Sequence, residues 1–284
     1  MSDYRSIEVI PGVVIAACPL GQGPIDTAVT LARGWRLAVI DTGVGAFMPA
    51  AMQPALDSLG ADIADIDFII NTHGHWDHVE GNAALQAASG APVLIHPDDM
   101  SLLGYPPDRL LSDGQGIDLG GFTFQVIHAP GHSAGMVCLY EPSQRLLLVS
   151  DAVQGCGAGD AGLPAYFHSG DQYRASLARL AALDVTTLAL GHEFAWDGPR
   201  RFVHRDDDVR RFFDASIYLA AETGRAARVA LDDVGPEDWA ALVAAFARRL
   251  GDTPGFAIDP AIGLDDLQQG TLRSEMRDLG LLFP

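Results

Sequence analysis

The chain has 284 residues, 48% hydrophobic and 19% charged, with a formal net charge of −19, a composition that suits a packed globular protein rather than a disordered one. All 18 basic residues are arginine, which excludes a lysine nucleophile, Schiff base or phosphate-loop lysine, and the carboxylate excess repels nucleic acid and anionic membrane. Cys18, Cys138 and Cys156 are too few and too far apart for a disulfide framework or a Cys-x-x-Cys zinc site; with no apolar run near the ~20 residues of a membrane span and no basic-then-apolar N-terminal segment, a soluble cytoplasmic protein is expected.

Residues 7–10 and 13–17, split by Pro11-Gly12, read as a β-hairpin, and residues 27–32 and 35–40 as the next, with Gly34 in the turn. Residues 48–59 have helical spacing and stop at Gly60. A short apolar strand at 67–70 follows, then a helix over 81–88 and a strand at 92–95. Three further apolar runs lie at 122–127, 136–140 and 146–149. A helix over 172–183 carries Tyr173, Leu177, Leu180 and Leu183 on one face, with Asp171 as its expected cap, and a strand at 187–190 leads into Gly191-His192.

Past His192 the pattern turns helical. Val209, Phe212, Phe213 and Ile217 mark a helix over 206–221. A second, over 236–250, has Glu237 and Asp238 in its first turn and Arg248 and Arg249 in its last, as the helix dipole favours. A third, over 265–279, is expected to break at Gly270. The expected organisation is a mixed α/β catalytic domain over residues 1–200 and a helical extension over 201–284.

The stretch Asn71-Thr-His73-Gly-His75-Trp-Asp77-His78 follows the strand at 67–70 and sets four metal-capable side chains at its tip. A histidine-rich polar loop is the bland alternative, but imidazoles and a carboxylate so spaced suit a divalent transition metal. His132 in Pro130-Gly-His132-Ser133, Asp151 after Ser150, and His192 after Gly191 each stand at the C-terminal end of an apolar run, where strand ends converge on one sheet edge.

Together with Asp41-Thr-Gly43, these motifs resemble the signature motifs of the metallo-β-lactamase-fold superfamily, in its order, over residues 41–192. The resemblance implies an αββα sandwich of two β-sheets with helices outside. It implies that His73, His75 and His132 hold one metal, that Asp77, His78 and His192 hold a second, and that Asp151 bridges both. Asp77 and Asp151 then count as catalytic carboxylates as well as ligands, and Asp41 braces the metal loop from behind. Two divalent ions are implied, zinc first, with iron and manganese also suited to the ligands. A water shared between them would lose its proton near neutral pH and attack an ester.

Departures sort the branches. Asp151 argues against the β-lactamases, which generally lack that aspartate; His75 argues against the flavodiiron proteins, which carry Glu there; the charge argues against nucleases. The ester-cleaving branches remain, glyoxalase-II-like and lactonase-like. Glu80-Gly81 stands where glyoxalase II has Gly-Gly, its basic glutathione-binding residues have no lysine counterpart here, and Gln154 stands where lactonases carry tyrosine. The helical tail is similar to a quinolone-pathway thioesterase branch whose C-terminal helices cap the metal cleft. The expected function is therefore dinuclear hydrolysis of a small ester, foremost a thioester, in a cleft capped by the tail. A lactonase or phosphodiesterase is the alternative on the same site. A mononuclear-iron persulfide dioxygenase and an inactive binding protein are the rivals of other classes. Tyr166, Phe167 and His168 are candidate pocket residues, the alternative being that these aromatics pack beneath the tail. His96 and His128 read as core or strand-end histidines, His204 as a surface one, and Cys156 as structural. A small-molecule substrate is the expected partner, and a homodimer is compatible with the sequence.

Overall fold

The computed structural model describes residues 6–20, 26–46, 48–154, 162–195 and 199–283. The first sheet begins with β1 (Ser6–Ile10), β2 (Val13–Pro19), β3 (Asp26–Arg33) and β4 (Leu37–Ile40), joined antiparallel as hairpins. After α1 (Met48–Leu59), β5 (Ile66–Ile70) adds parallel to β4. The short α2 (Trp76–Val79) and α3 (Asn82–Ser89) follow, and then β6 (Val93–Ile95) and β7 (Arg109–Leu110) extend the parallel half. The second sheet takes β8 (Gly116–Asp118), β9 (Thr123–His128), β10 (Val137–Glu141) and β11 (Leu146–Ser150) as an antiparallel meander. α4 (Gly170–Ala181) crosses back, so β12 (Thr187–Ala195) pairs parallel to β11, and β13 (Pro199–His204) closes that edge antiparallel. The tail is α5 (Asp206–Val234), α6 (Trp239–Gly251) and α7 (Asp266–Asp278).

The strands alternate between two buried faces, so their period-2 pattern separates two cores. Leu37 and Val39 of β4 face α1 and pack with Met52 and Leu56, whereas Ala38 and Ile40 face the second sheet and pack with Phe124, Leu139 and Leu148. The outer face of the second sheet packs Leu147, Val149 and Leu188 against Leu177 and Leu180 of α4 and Phe212 of α5. The layers are thus helix, sheet, sheet, helix. The tail has its own core, in which Ala227 and Ala230 of α5 meet Leu242, Phe246 and Leu250 of α6 and Leu272 and Met276 of α7. The first half of α5 packs on the second sheet and its second half on the tail, so one helix belongs to both units.

The sheets meet at β3, which pairs with β4 over Thr30–Arg33 and with β12 through Thr27 and His192. Where β4 ends, β12 takes its place. That exchange opens a crevice at the strand ends, and the chain's metal-capable residues gather there.

Several local expectations are corrected. α4 is capped by Ser169, whose hydroxyl accepts from Gln172 N at 3.1 Å, while Asp171 sits in the first turn. α6 starts at Trp239, with Asp238 outside the helix as its cap. α5 continues past Ala221 to Val234, and α7 passes unbroken through Gly270. β13 is a strand that the sequence did not announce, with a proline first and only an outer edge to fill. No helix among the described residues is long and apolar enough to cross a membrane. Cys156 lies outside the described residues.

Candidate metal centre

Asp41 follows β4, and His73 and His75 follow β5. His78 lies on α2, His132 follows β9, Asp151 follows β11, and His192 lies on β12 at the junction with β3. Strand ends bring all of them to one crevice. Their inward atoms form two nests. In the first, His75 Nδ1 lies 3.1 Å from His73 Nε2 and 2.8 Å from His132 Nε2. In the second, His192 Nε2 lies 3.3 Å from His78 Nε2 and 3.4 Å from Asp77 Oδ2. Asp151 sits between them, 3.4 Å from His132 Nε2, 3.3 Å from His192 Nε2 and 3.6 Å from His78 Nε2.

The outward ring nitrogens assign the protons. A carbonyl oxygen only accepts, so His132 Nδ1 donates to Ala165 O at 2.7 Å and His192 Nδ1 to Asp26 O at 2.8 Å. His78 Nδ1 donates to the Asp41 carboxylate at 2.9 Å. The Thr72 hydroxyl gives its proton to Asp41 at 2.8 Å, which leaves its oxygen to accept from His73 Nδ1 at 3.1 Å. The Nε2 atoms of these four imidazoles therefore point inward, each able to offer a lone pair once any proton on it is displaced. Lone pairs facing across about 3 Å repel unless a proton or a cation lies between them, and a tetrahedral ion with ligands at about 2.0–2.1 Å would set neighbouring donors about 3.3 Å apart. Asp151 Oδ1 is buried with no hydrogen-bond partner, and a Cβ on Gly191 would overlap it. A bare buried carboxylate oxygen beside inward imidazole nitrogens is a fit for divalent cations.

The two nests differ electrostatically. Burial, reinforced by the surrounding imidazoles, holds His73 well below its ordinary value and brings His75 to about 4. Burial also lowers His132. For His78 burial pulls downward too, but Asp151, Asp41 and Asp77 outweigh it and push the ring up to about 10. His192 is raised in the same way, chiefly by Asp151.

A surrounding shell fixes these side chains, and part of it carries no sequence motif. Asp99 accepts from Gly74 N at 3.0 Å, Ser133 Oγ at 2.6 Å and Gly135 N at 2.7 Å, tying the loop of His73 and His75 to that of His132. Gln154 holds both the amide and the carbonyl of Ala165, at 2.7 and 2.8 Å. Thr27 Oγ1 reaches Asp77 Oδ2 at 3.4 Å. Ser133 and Ser150 serve as loop hydrogen bonders, donating to Asp99 and Asp41.

The aromatic candidates divide. Phe167 lies against His75 and His132, with ring centroids at 5.6 and 5.3 Å. Tyr166 does not line the crevice as a substrate contact: it is fully buried and its hydroxyl is bonded to Glu275 of α7, so it packs beneath the tail. His168 is half-buried, with its amide on Gly131 O at 3.1 Å and its carbonyl held by Arg277 at 2.9 Å. His96 and His128 stack at 4.0 Å with planes 10° apart. His128 Nε2 donates to Ala134 O at 2.9 Å, and His96 Nδ1 accepts from Asp98 N at 3.4 Å. His204 is exposed and bonded to Thr187.

The family model described as "Metallo-beta-lactamase superfamily" matches residues 25–192. A hydroxyacylglutathione hydrolase of Acidiphilium cryptum (strain JF-5) is 35% identical over 203 residues, covering 70% of this chain and 77% of the relative. Another from Ruegeria pomeroyi (strain ATCC 700808 / DSM 15171 / DSS-3) is 35% identical over 162 residues, 56% of this chain but only 60% of that relative's length. A metallo-beta-lactamase family protein from Thermus thermophilus superposes with a TM-score of 0.68 at 21% identity, covering 96% of this chain and 95% of that one, a likeness of fold.

Proposed function

The chain belongs to the metallo-β-lactamase superfamily, in its glyoxalase-II-like branch, and is a metallohydrolase; on that premise we propose that it cleaves a small thioester with two divalent ions. The observation that carries the reading is the pair of donor nests sharing Asp151. His73, His75 and His132 would hold one ion and Asp77, His78 and His192 the other, with Asp151 able to contribute to either. Zinc is the expected metal, with iron and manganese also suited to these donors. Such ions supply an acidified water and offset the charge that builds on the acyl oxygen.

The chain's own groups do the rest. Asp41 orients His78 and Ala165 orients His132, so each ring keeps its lone pair aimed inward. Phe167 walls one side. Trp76, 60% exposed beside His75, and Leu102, 51% exposed and 2.6 Å from where a Cβ on Gly74 would stand, extend an apolar rim for the acyl part. Nearby guanidinium groups are engaged: Arg201 pairs with Asp26 at 2.6 and 2.5 Å, and Arg277 donates to the Phe167 and His168 carbonyls. Among the described residues these two guanidinium groups are thus not left to hold the carboxylates of a glutathionyl group, which favours a thioester with an apolar acyl group and an uncharged thiol. Among the described residues a cysteine nucleophile has no support, since burial pushes the Cys18 thiol up to about 11 and Cys138 higher still.

Initial rates on a hydroxyacylglutathione thioester, an apolar acyl thioester, a lactone and a phosphodiester test this. The apolar thioester should turn over fastest, and only in the metal-loaded protein. Turnover of the lactone or phosphodiester alone, or oxygen uptake with a persulfide, would contradict it.

A further inference from the structure

We infer that α7 is a positioning device for the first donor nest, with Glu275 and Tyr166 at its hub. Glu275 is 2% exposed, and its carboxylate accepts from the Tyr166 hydroxyl and from Arg174 Nη1 at 2.5 Å and Nη2 at 3.1 Å. A buried carboxylate is tolerated only when paired in this way, and Gly170 leaves the room, because any Cβ there would overlap Glu275 Oε1. The same helix makes further contacts. Thr271 Oγ1 donates to Pro164 O at 3.0 Å, and Arg277 Nη1 to the Phe167 and His168 carbonyls, each at 2.9 Å. The Asp278 carboxylate takes the Ser169 hydroxyl at 2.8 Å and the Asp171 amide at 2.9 Å. Apart from the Arg174 pair, each of these contacts falls on residues 164–171.

That segment also builds the nest. Ala165 O holds His132 Nδ1 at 2.7 Å, the Phe167 amide donates to His132 O at 3.0 Å, and the Phe167 ring covers His75 and His132. Load therefore passes from α7 through residues 164–171 to His132, between residues 109 apart in sequence at the Tyr166–Glu275 contact. A segment released from α7 would let the His132 ring turn off the direction its lone pair must keep. The path ends on His132 and reaches His78 and His192 only through Asp151, which lies 3.4 Å from His132 Nε2, 3.3 Å from His192 Nε2 and 3.6 Å from His78 Nε2, so the larger effect falls on the first nest. The inference rests on His132 ligating the first ion.

Cobalt(II) titration of the full chain, followed by absorption, tests it. His75→Ala should remove the phase belonging to the first nest and His78→Ala the phase belonging to the second. Tyr166→Phe and Arg277→Ala should each weaken the first phase about tenfold, at the low end of outer-shell effects on metal affinity, and weaken the second by less. Arg277 is exposed, so its variant carries the test even if Tyr166→Phe fails to fold. Arg249→Ala breaks the 2.7 Å pair with Asp233 between α6 and α5 and should change neither phase. Wild-type affinity in both Tyr166→Phe and Arg277→Ala, or equal weakening of both phases, overturns the positioning role. If His75→Ala leaves both phases intact, the ligand assignment itself falls.

Discussion

Asp41 and Ser150, each at the C-terminal end of a strand and in different sheets, both have left-handed backbone, with φ of 58° and 44°, and Ser150 Oγ donates to Asp41 Oδ2 at 3.3 Å. A residue with a Cβ pays roughly 1–2 kcal/mol for that conformation. The sharp turns aim Asp41 and the following Asp151 into the crevice, and the Thr72 amide and hydroxyl, each 2.8 Å from Asp41, hold the arrangement. Strain of this kind gathers at functional sites because the surrounding structure over-determines it.

Asp41→Asn keeps the shape and removes the charge that His78 Nδ1 faces. Affinity for the ion of the second nest should fall about 10–100-fold, with the far-ultraviolet circular dichroism unchanged. Metal analysis after dialysis checks this. Wild-type retention would show that Asp41 does not act through His78.

Proton competition should separate the two nests. Without metal, His78 holds a proton at neutral pH because its pKa is raised to about 10, and His192 is raised as well. His73 and His132 are lowered and His75 sits at about 4, so those rings are already neutral. A cation entering the second nest must displace protons, so its affinity should rise by up to about tenfold per pH unit for each proton displaced, levelling off above about 10. Affinity at the first nest should stay flat until the pH falls towards that of His75. Acid should strip the second ion first. Binding isotherms at several pH values decide, and parallel curves for both ions would refute the assignment.

Gly270 is needed for packing and does not break its helix. A Cβ there would stand 2.9 Å from the Phe167 ring. Gly270→Ala gains about 1 kcal/mol of helix propensity, but overpacking costs about 1–3 kcal/mol. The variant should melt lower than wild type or at best match it, and its turnover should fall as Phe167 shifts over His75. A higher melting temperature with full activity would count against this packing.

Much of the fold was legible because it follows from local pattern. The Gly60 stop of α1 and the apolar runs of β2, β4, β9, β10 and β11 are short-range signals. The metal-capable residues that gather in the crevice stood out in the sequence because the motif after β5, and His132 and Asp151 after β9 and β11, follow apolar runs. What escaped depends on distant partners. α5 runs past Ala221 to Val234, through Gly224, where a Cβ would meet the Arg174 guanidinium at 2.7 Å and only glycine leaves that room. Tyr166 turns to the tail because Glu275, 109 residues on, accepts its hydroxyl. Asp99 belongs to no motif, and its role follows only from two loops meeting over its carboxylate.

Elemental analysis of protein purified without added metal, and again after reconstitution, should find two divalent ions per chain, falling in His75→Ala and Asp151→Ala together with thioester hydrolysis. A single iron per chain, with no second ion retained after reconstitution, would contradict the two-ion reading.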